Sequence, residues 1–205
     1  EFFKERVHNI RRPRPDDFQL KEAAEKIKNS KNPIIISGGG VFYSDAMDEL
    51  GAFAAKHNIP VTQTVMGYST MKRDHSHFLG PIGGLGGKAA NNFAKQTDLA
   101  IAIGTKLGDF TTGSWANFEN PDFSLVSINV ARFDANKHMA QSVIGDAKVS
   151  LTELSQILGD WKAPEDWYKK SRDELKSWNE YIDKESGPTN QEVPSYAHAV
   201  GAIYR

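Results

Sequence analysis

"PIIISGGGVFYSDAMDELGAFAAKHNIPV", residues 33–61, reads as a strand, a glycine turn, a helix and the start of a second strand. Residues 33–37 are short, apolar and rich in isoleucine, as a strand buried on both faces of a parallel sheet should be. Gly38, Gly39 and Gly40 follow at once, where the chain must turn tightly. Ser44 is the expected N-cap of the next helix, and Asp45 and Asp48 suit its electropositive first turn. Met47, Leu50 and Ala54 recur at helical spacing and form an inward stripe. "IPVTQTV", 59–65, is the next strand.

The same alternation continues outward. Leu20, Ala23, Ala24 and Ile27 mark a helix before the first strand. "LAIAIGT" (99–105), "SLVSINV" (124–130) and "SVIGD" (142–146) are further strands. A helix at about 88–97 turns Ala90, Phe93 and Ala94 inward, and Leu151, Leu154, Ile157 and Leu158 close the unit. Strands alternating with helices across short glycine loops predict an α/β fold, a doubly wound, mainly six-stranded parallel sheet. Right-handed crossovers then put helices on both faces. Residues 1–17, with Pro13 and Pro15, read as an extended linker whose Arg11, Arg12 and Arg14 are solvated. Residues 18–160 form the domain. Residues 161–192 are a helical linker with a packing stripe of Tyr168, Leu175, Trp178 and Ile182. Residues 193–205 begin another helix.

Composition excludes several classes of function. The 205 residues carry 25 basic and 26 acidic side chains, a net charge of −1, which gives no reason to expect nucleic acid or an anionic membrane as partner. There is no cysteine, hence no disulfide, thiolate nucleophile or Cys-ligated zinc, and a reducing cytoplasm fits. No apolar run approaches the length of a membrane span. His75 and His77 share a loop, but no third ligand stands at metal-binding spacing, so no metal site is expected here.

The glycines were the nucleotide candidates, since ligands of open α/β sheets bind outside the carboxyl ends of the strands. The dinucleotide fingerprint requires G-x-G-x-x-G. Gly38 and Gly40 fit, but Tyr43 takes the third position, and "VTQTVMG" lacks the acidic residue that holds ribose hydroxyls. "GGLGGKA", 83–89, fails as a phosphate loop: its first required glycine falls on Ile82, and Ala89 replaces the Ser or Thr that would hold magnesium. Asp109 and Asp146, at strand ends, suit ligand hydroxyls or their own turns equally well.

Three longer segments carry a resemblance: "GGLGGKAANNFAKQTDLAIAIGTKLGDFTTG" (83–113), "SINVARFDANKH" (127–138) and "VIGDAKVSLTEL" (143–154). Together they resemble the central domain of thiamine-diphosphate-dependent enzymes, the family of acetolactate synthase and pyruvate oxidase. The flanks "ERVHNIRRPRPDD" (5–17) and "GPTNQEVPSYAHAVGAIYR" (187–205), with "GDFTTGSWANFENP" (108–121), are similar to the branch that opens a trihydroxycyclohexanedione ring in myo-inositol catabolism. The resemblance implies a homo-oligomeric parent enzyme using thiamine diphosphate and Mg2+ to hydrolyse a ring C–C bond of that cyclic dione to a deoxyglucuronate. It also implies that both groups bind in an N-terminal pyrimidine-binding domain and a C-terminal diphosphate-binding domain, neither of which is in this sequence. Residues 1–17 and 161–192 would lead to those domains, residues 193–205 would be the first helix of the C-terminal one, and this part alone would be inactive.

Central domains of the family hold FAD, ADP or nothing. The matching positions here are Gly38, Gly39, Gly40, Gly86, Gly104, Thr105, Lys106, Asn129, Gly145 and Asp146. Flavin-binding relatives carry arginine where Lys106 stands and an acidic residue where Asn129 stands. Lysine lacks the planar fork that grips a diphosphate, and asparagine lacks the anion for a ribose diol, so the reading favours an empty remnant over ADP or FAD. The same resemblance places Asp109, Thr111, Thr112 and Ser114 in a loop that approaches substrate. Alternatives are the central domain of an acetolactate-synthase-type carboligase and a free-standing adenine-nucleotide module.

Overall fold

Ile34, Ile35 and Ile36 are all fully buried, yet they face two different cores. The computed structural model describes residues 3–5, 7 and 11–205; the first part of the 1–17 linker therefore falls partly outside the described residues. Strand β1 (Pro33–Ser37) sits at the centre of a sheet with β2 (Val61–Gln63), β3 (Phe78–Pro81), β4 (Leu99–Ile103), β5 (Ser124–Asn129) and β6 (Gln141–Ile144). The order is β3-β2-β1-β4-β5-β6, and every pairing is parallel. This is the strand order of two mononucleotide-binding halves that meet at β1 and β4. The expected α/β doubly wound sheet of six strands is observed.

Side chains alternate across a strand with period two. Ile35 accordingly joins Ile101, Val126 and Val143 under α1 (Asp17–Asn29), α3 (Met47–His57) and α7 (Ala147–Leu158). Ile34 and Ile36 join Ala100, Ala102 and Leu125 under α4 (Lys88–Ala94) and the start of α8 (Glu165–Glu185). Two covered faces explain why β1 and β4 are apolar throughout. They also explain the small Ala100 and Ala102, which admit Phe93 and Trp167 to the second face. Those two rings stack with centroids 3.8 Å apart, and Trp167 Nε1 donates to Pro33 O at 2.8 Å.

Several local expectations change. A short helix, α2 (Gly39–Tyr43), starts within the glycine turn, so Ser44 closes α2 instead of opening α3, whose N-cap is Ala46. The Ser44 hydroxyl donates instead to Asp146 Oδ2 at 2.8 Å. The sixth strand is β3, whose last two residues belong to the glycine-rich segment 80–87. β2 is shorter than 59–65, because Thr64 caps a 3-10 turn at Val65–Gly67 through its hydroxyl. Two further short helices, α5 (Asp109–Thr112) and α6 (Arg132–Ala135), follow β4 and β5.

The helix at 165–185 is not a free spacer in its first half. Trp167 and Ser171 are buried, Tyr168 stacks on His77 at 4.5 Å, and Leu175 and Trp178 lie partly buried against the second core. Trp167 is the anchor, one residue off the stripe read from the sequence. α9 (Tyr196–Tyr204) then packs on the end of α8 through Gly201, where a Cβ would collide with the Ser186 carbonyl.

Candidate functional site at the carboxyl ends of the strands

The reversal of strand order at β1 and β4 creates the crevice in which this fold class binds nucleotides. Here the two loops touch. A Cβ on Gly40 would lie 2.6 Å from Gly104 Cα, and one on Gly38 would lie 2.5 Å from Thr105 Cβ. The glycines thus allow loop-to-loop contact. Gly38 N donates to Ile103 O and Gly40 N to Gly104 O, each at 2.9 Å. Amides that hold a pyrophosphate in a dinucleotide site must point outward and unpaired. The Gly38 and Gly40 amides point at the next loop's carbonyls.

Beside this contact lies a cavity of about 440 Å³ lined by Arg11, Tyr43, Ser44, Gly104, Asn129 and Asp146, among others. Ser44, Asn129 and Asp146 are engaged within the protein. Asp146 caps α7 by accepting from the Lys148 and Val149 amides at 3.0 and 3.4 Å. It also accepts from Ser44 Oγ and pairs with Arg12 Nη1 at 3.2 Å, while Arg12 Nη1 donates to Ser44 O as well. Asn129 Nδ2 donates to Thr105 O at 3.2 Å, and its Oδ1 accepts from Ala131 N at 3.0 Å. The linker runs along the rim: Pro13 O accepts from Asp146 N at 2.9 Å, and Pro15 packs on Gly145, where no Cβ would fit. Arg12 and Arg14 are therefore ion-paired (Arg14 with Asp17 and Glu153) and not freely solvated. Nothing in the sequence marks Arg12 as the partner of a residue 134 positions away.

The structure thus gathers Gly38, Gly39, Gly40, Gly104, Thr105, Asn129, Gly145 and Asp146 around one junction, with Lys106 exposed at its edge. Gly86 is elsewhere. It lines a second cavity of about 580 Å³ between the β2–β3 corner and α8, with Gln63, Tyr68, Arg73, Leu85 and Trp178. That cavity went unread in the sequence because its walls come from four separate segments. The 109–114 segment sits beside the 83–87 loop, tied to it by Gly84 N donating to Phe110 O at 2.7 Å. Thr112 is buried and serves its own turn, donating to Gly108 O and accepting from Trp115 N. Asp109 and Ser114 are exposed and Thr111 is half-buried. Ser114 and Trp115 hold positive φ of 52° and 71°, a strained pair for non-glycine residues.

His77 is buried below the second cavity's corner. Its Nε2 meets Asn58 Oδ1 at 3.2 Å and its Nδ1 meets Ser76 Oγ at 2.9 Å. Burial, then the nearby His75 and Arg172 charges, push its pKa down to about 4. His57 is lowered as well, chiefly by burial, and is held between Trp161 O and Ser155 Oγ. Both rings stay neutral at pH 7, and both are pinned in the joint between the sheet and the α7–α8 connection.

Comparison with known proteins bears on this arrangement. The family described as "Thiamine pyrophosphate enzyme, central domain" matches residues 20–154. A 3D-(3,5/4)-trihydroxycyclohexane-1,2-dione hydrolase of Clostridium perfringens is 47% identical over 157 residues, covering 77% of this chain and 25% of the relative. The protein of the same name from Clostridium tetani is 43% identical over 196 residues, covering 91% of this chain and 30% of the relative. The chain therefore spans about a quarter to a third of these relatives' length. Among solved structures, an X-ray structure described as a thiamin diphosphate-dependent enzyme from Mycobacterium smegmatis superposes with a TM-score of 0.60 at 22% identity, covering 76% of this chain and 30% of that one. At that identity it speaks for the fold.

The described residues offer no metal-binding cluster: no group of three His, Cys, Asp or Glu side chains converges among them. Asp146 is engaged in its cap and ion pair, while Asp109 stands exposed.

Proposed function

Because this chain belongs to the family of thiamine pyrophosphate enzyme central domains, we propose that it is the scaffold domain of a longer thiamine-diphosphate-dependent hydrolase that opens a trihydroxycyclohexane-1,2-dione ring. The observation that carries this reading is the 43% identity to a hydrolase of that name across 91% of this chain. In the longer protein, bound thiamine diphosphate with Mg2+ would supply the carbon nucleophile for a substrate carbonyl. This chain's own residues would position the parts that hold it. Gly38, Gly40 and Gly104 lock the two halves of the sheet, and Arg12 with Asp146 fixes the incoming linker against α7. The nucleotide-type junction is then a structural joint, with neither ADP nor FAD required. A homo-oligomer in the cytoplasm, within inositol breakdown, is the setting this function implies. Asp109, Thr111 and Ser114 are the residues of this chain offered to substrate, on a loop held in strained geometry at the carboxyl face.

The test is turnover by the full-length protein, with and without thiamine diphosphate and Mg2+, on the cyclic dione and on pyruvate in parallel. Cofactor-dependent ring opening with pyruvate untouched is the expected result. Pyruvate consumption without ring opening would assign the parent to the carboligases and overturn the proposal.

A further inference from the structure

Val65, Tyr68 and Leu85 are 57%, 73% and 71% exposed, in the segments that follow the carboxyl ends of β2 and β3. They border the cavity of about 580 Å³ whose opposite wall is Leu175, Trp178 and Ile182 of α8. Apolar side chains gathered at one rim, with an open groove between them, mark a surface meant to be covered. α8 begins against the amino end of β1, where Trp167 reaches Pro33, and runs toward the carboxyl side, where the Trp178 indole lies against Gly87. α9 therefore leaves the domain at this same rim, and Tyr204 is within 3.4 Å of Arg73 in the groove wall. α9 carries its own uncovered stripe, Tyr196, Val200 and Ile203, at i, i+4 and i+7. Gly201 and Arg205 fix the helix to Ser186 of the α8 terminus, so the stripe is held beside the groove.

We infer that the groove between Tyr68, Leu85 and Trp178, continued by the outer face of α9, is the docking surface for the polypeptide that follows residue 205 in the longer protein. This rests on the proposal above that the chain is one domain of such a protein, whose relatives are about three times its length. The preceding polypeptide arrives at the opposite edge of the sheet, where residues 11–15 run beside β6 and α7, and Phe133 is exposed on α6, which packs against β6 as well. The following segment is thus the occupant whose attachment point adjoins the groove.

A photo-activatable phenylalanine analogue placed at Leu85 of the full-length protein tests this, with a second at Phe133 for comparison. Equal amounts of 14N- and 15N-labelled protein are mixed, irradiated and mapped by mass spectrometry. The expected adduct from position 85 joins peptides C-terminal to residue 205 within one isotopic chain. Adducts to residues preceding 11, adducts between isotopes, or no adduct beyond those at position 133 would overturn the inference. Ring-opening activity is measured on the same samples. An adduct to the C-terminal segment in a protein without that activity would leave the docking surface standing and remove the substrate assignment.

Discussion

Acid should loosen the joint around His77 by an amount the geometry allows to be worked out. The ring is 6% exposed, stacked on Tyr168, and faces His75, Arg172 and the Asn58 amide, with Glu165 reaching Asn58 from α8. Its folded pKa is about 4 against an ordinary 6.5. The unfolded chain therefore binds more protons between those values, and stability rises with pH across that window. The contribution is complete above pH 6.5 and is withdrawn as pH falls towards 4. At about 1.4 kcal/mol per unit the full loss is about 3 kcal/mol, and at pH 4.5 it is roughly 2.5 kcal/mol. For a domain of this size that corresponds to about 5–10 °C in Tm. Carboxylates titrate in the same range, so the measured quantity is a difference between proteins. Urea unfolding of the chain and of His77→Gln, followed by tryptophan fluorescence at pH 7.5 and 4.5, isolates the ring. The native chain should lose about 2 kcal/mol more than the variant. Parallel losses, or an NMR titration placing the His77 pKa near 6.5, would refute the reasoning.

Other perturbations follow from the same contacts. Gly40→Ala brings a Cβ to 2.6 Å from the Gly104 backbone, and denaturant titration should show destabilisation of about 1–3 kcal/mol, as for overpacked cores. Trp167→Ala removes a stacked ring and the partner of Pro33 O; a loss of about 3–5 kcal/mol is expected, with new proteolytic cuts in 161–166 as α8 detaches. Asp146→Ala deletes the α7 cap and leaves Arg12 without its carboxylate, so stability should fall by about 1–2 kcal/mol and trypsin should cleave faster after Arg11.

The fold was legible in the sequence because the buried strands announce themselves. Ile34–Ile36 and Leu99–Ile103 are apolar at every position, as only a sheet covered on both faces requires. β3 was not, since Phe78–Pro81 is an edge strand with a glycine and a proline, and its register shifts between Val61 and Thr62. The candidate site was legible as a set of glycines but not as a function. Sequence spacing identifies a turn that needs no Cβ; whether the freed space admits a phosphate or another backbone depends on Gly104, which lies 64 residues away from Gly40. The Arg12–Asp146–Ser44 cluster joins three remote segments, and no local pattern encodes it. Ser44 shows the same limit: its hydroxyl had a plausible local partner and took a distant one.

At the junction of β1 and β4 the two loops close on each other. Isothermal titration of ADP and of FAD into the chain tests that directly. No saturable heat is expected up to about 1 mM of either ligand, weaker than about −4 kcal/mol of binding, and Gly40→Ala should leave this unchanged. A dissociation constant near 1 μM for either, about −8 kcal/mol, abolished by Gly40→Ala, would show that the glycine turn opens to hold a nucleotide and would contradict the scaffold reading.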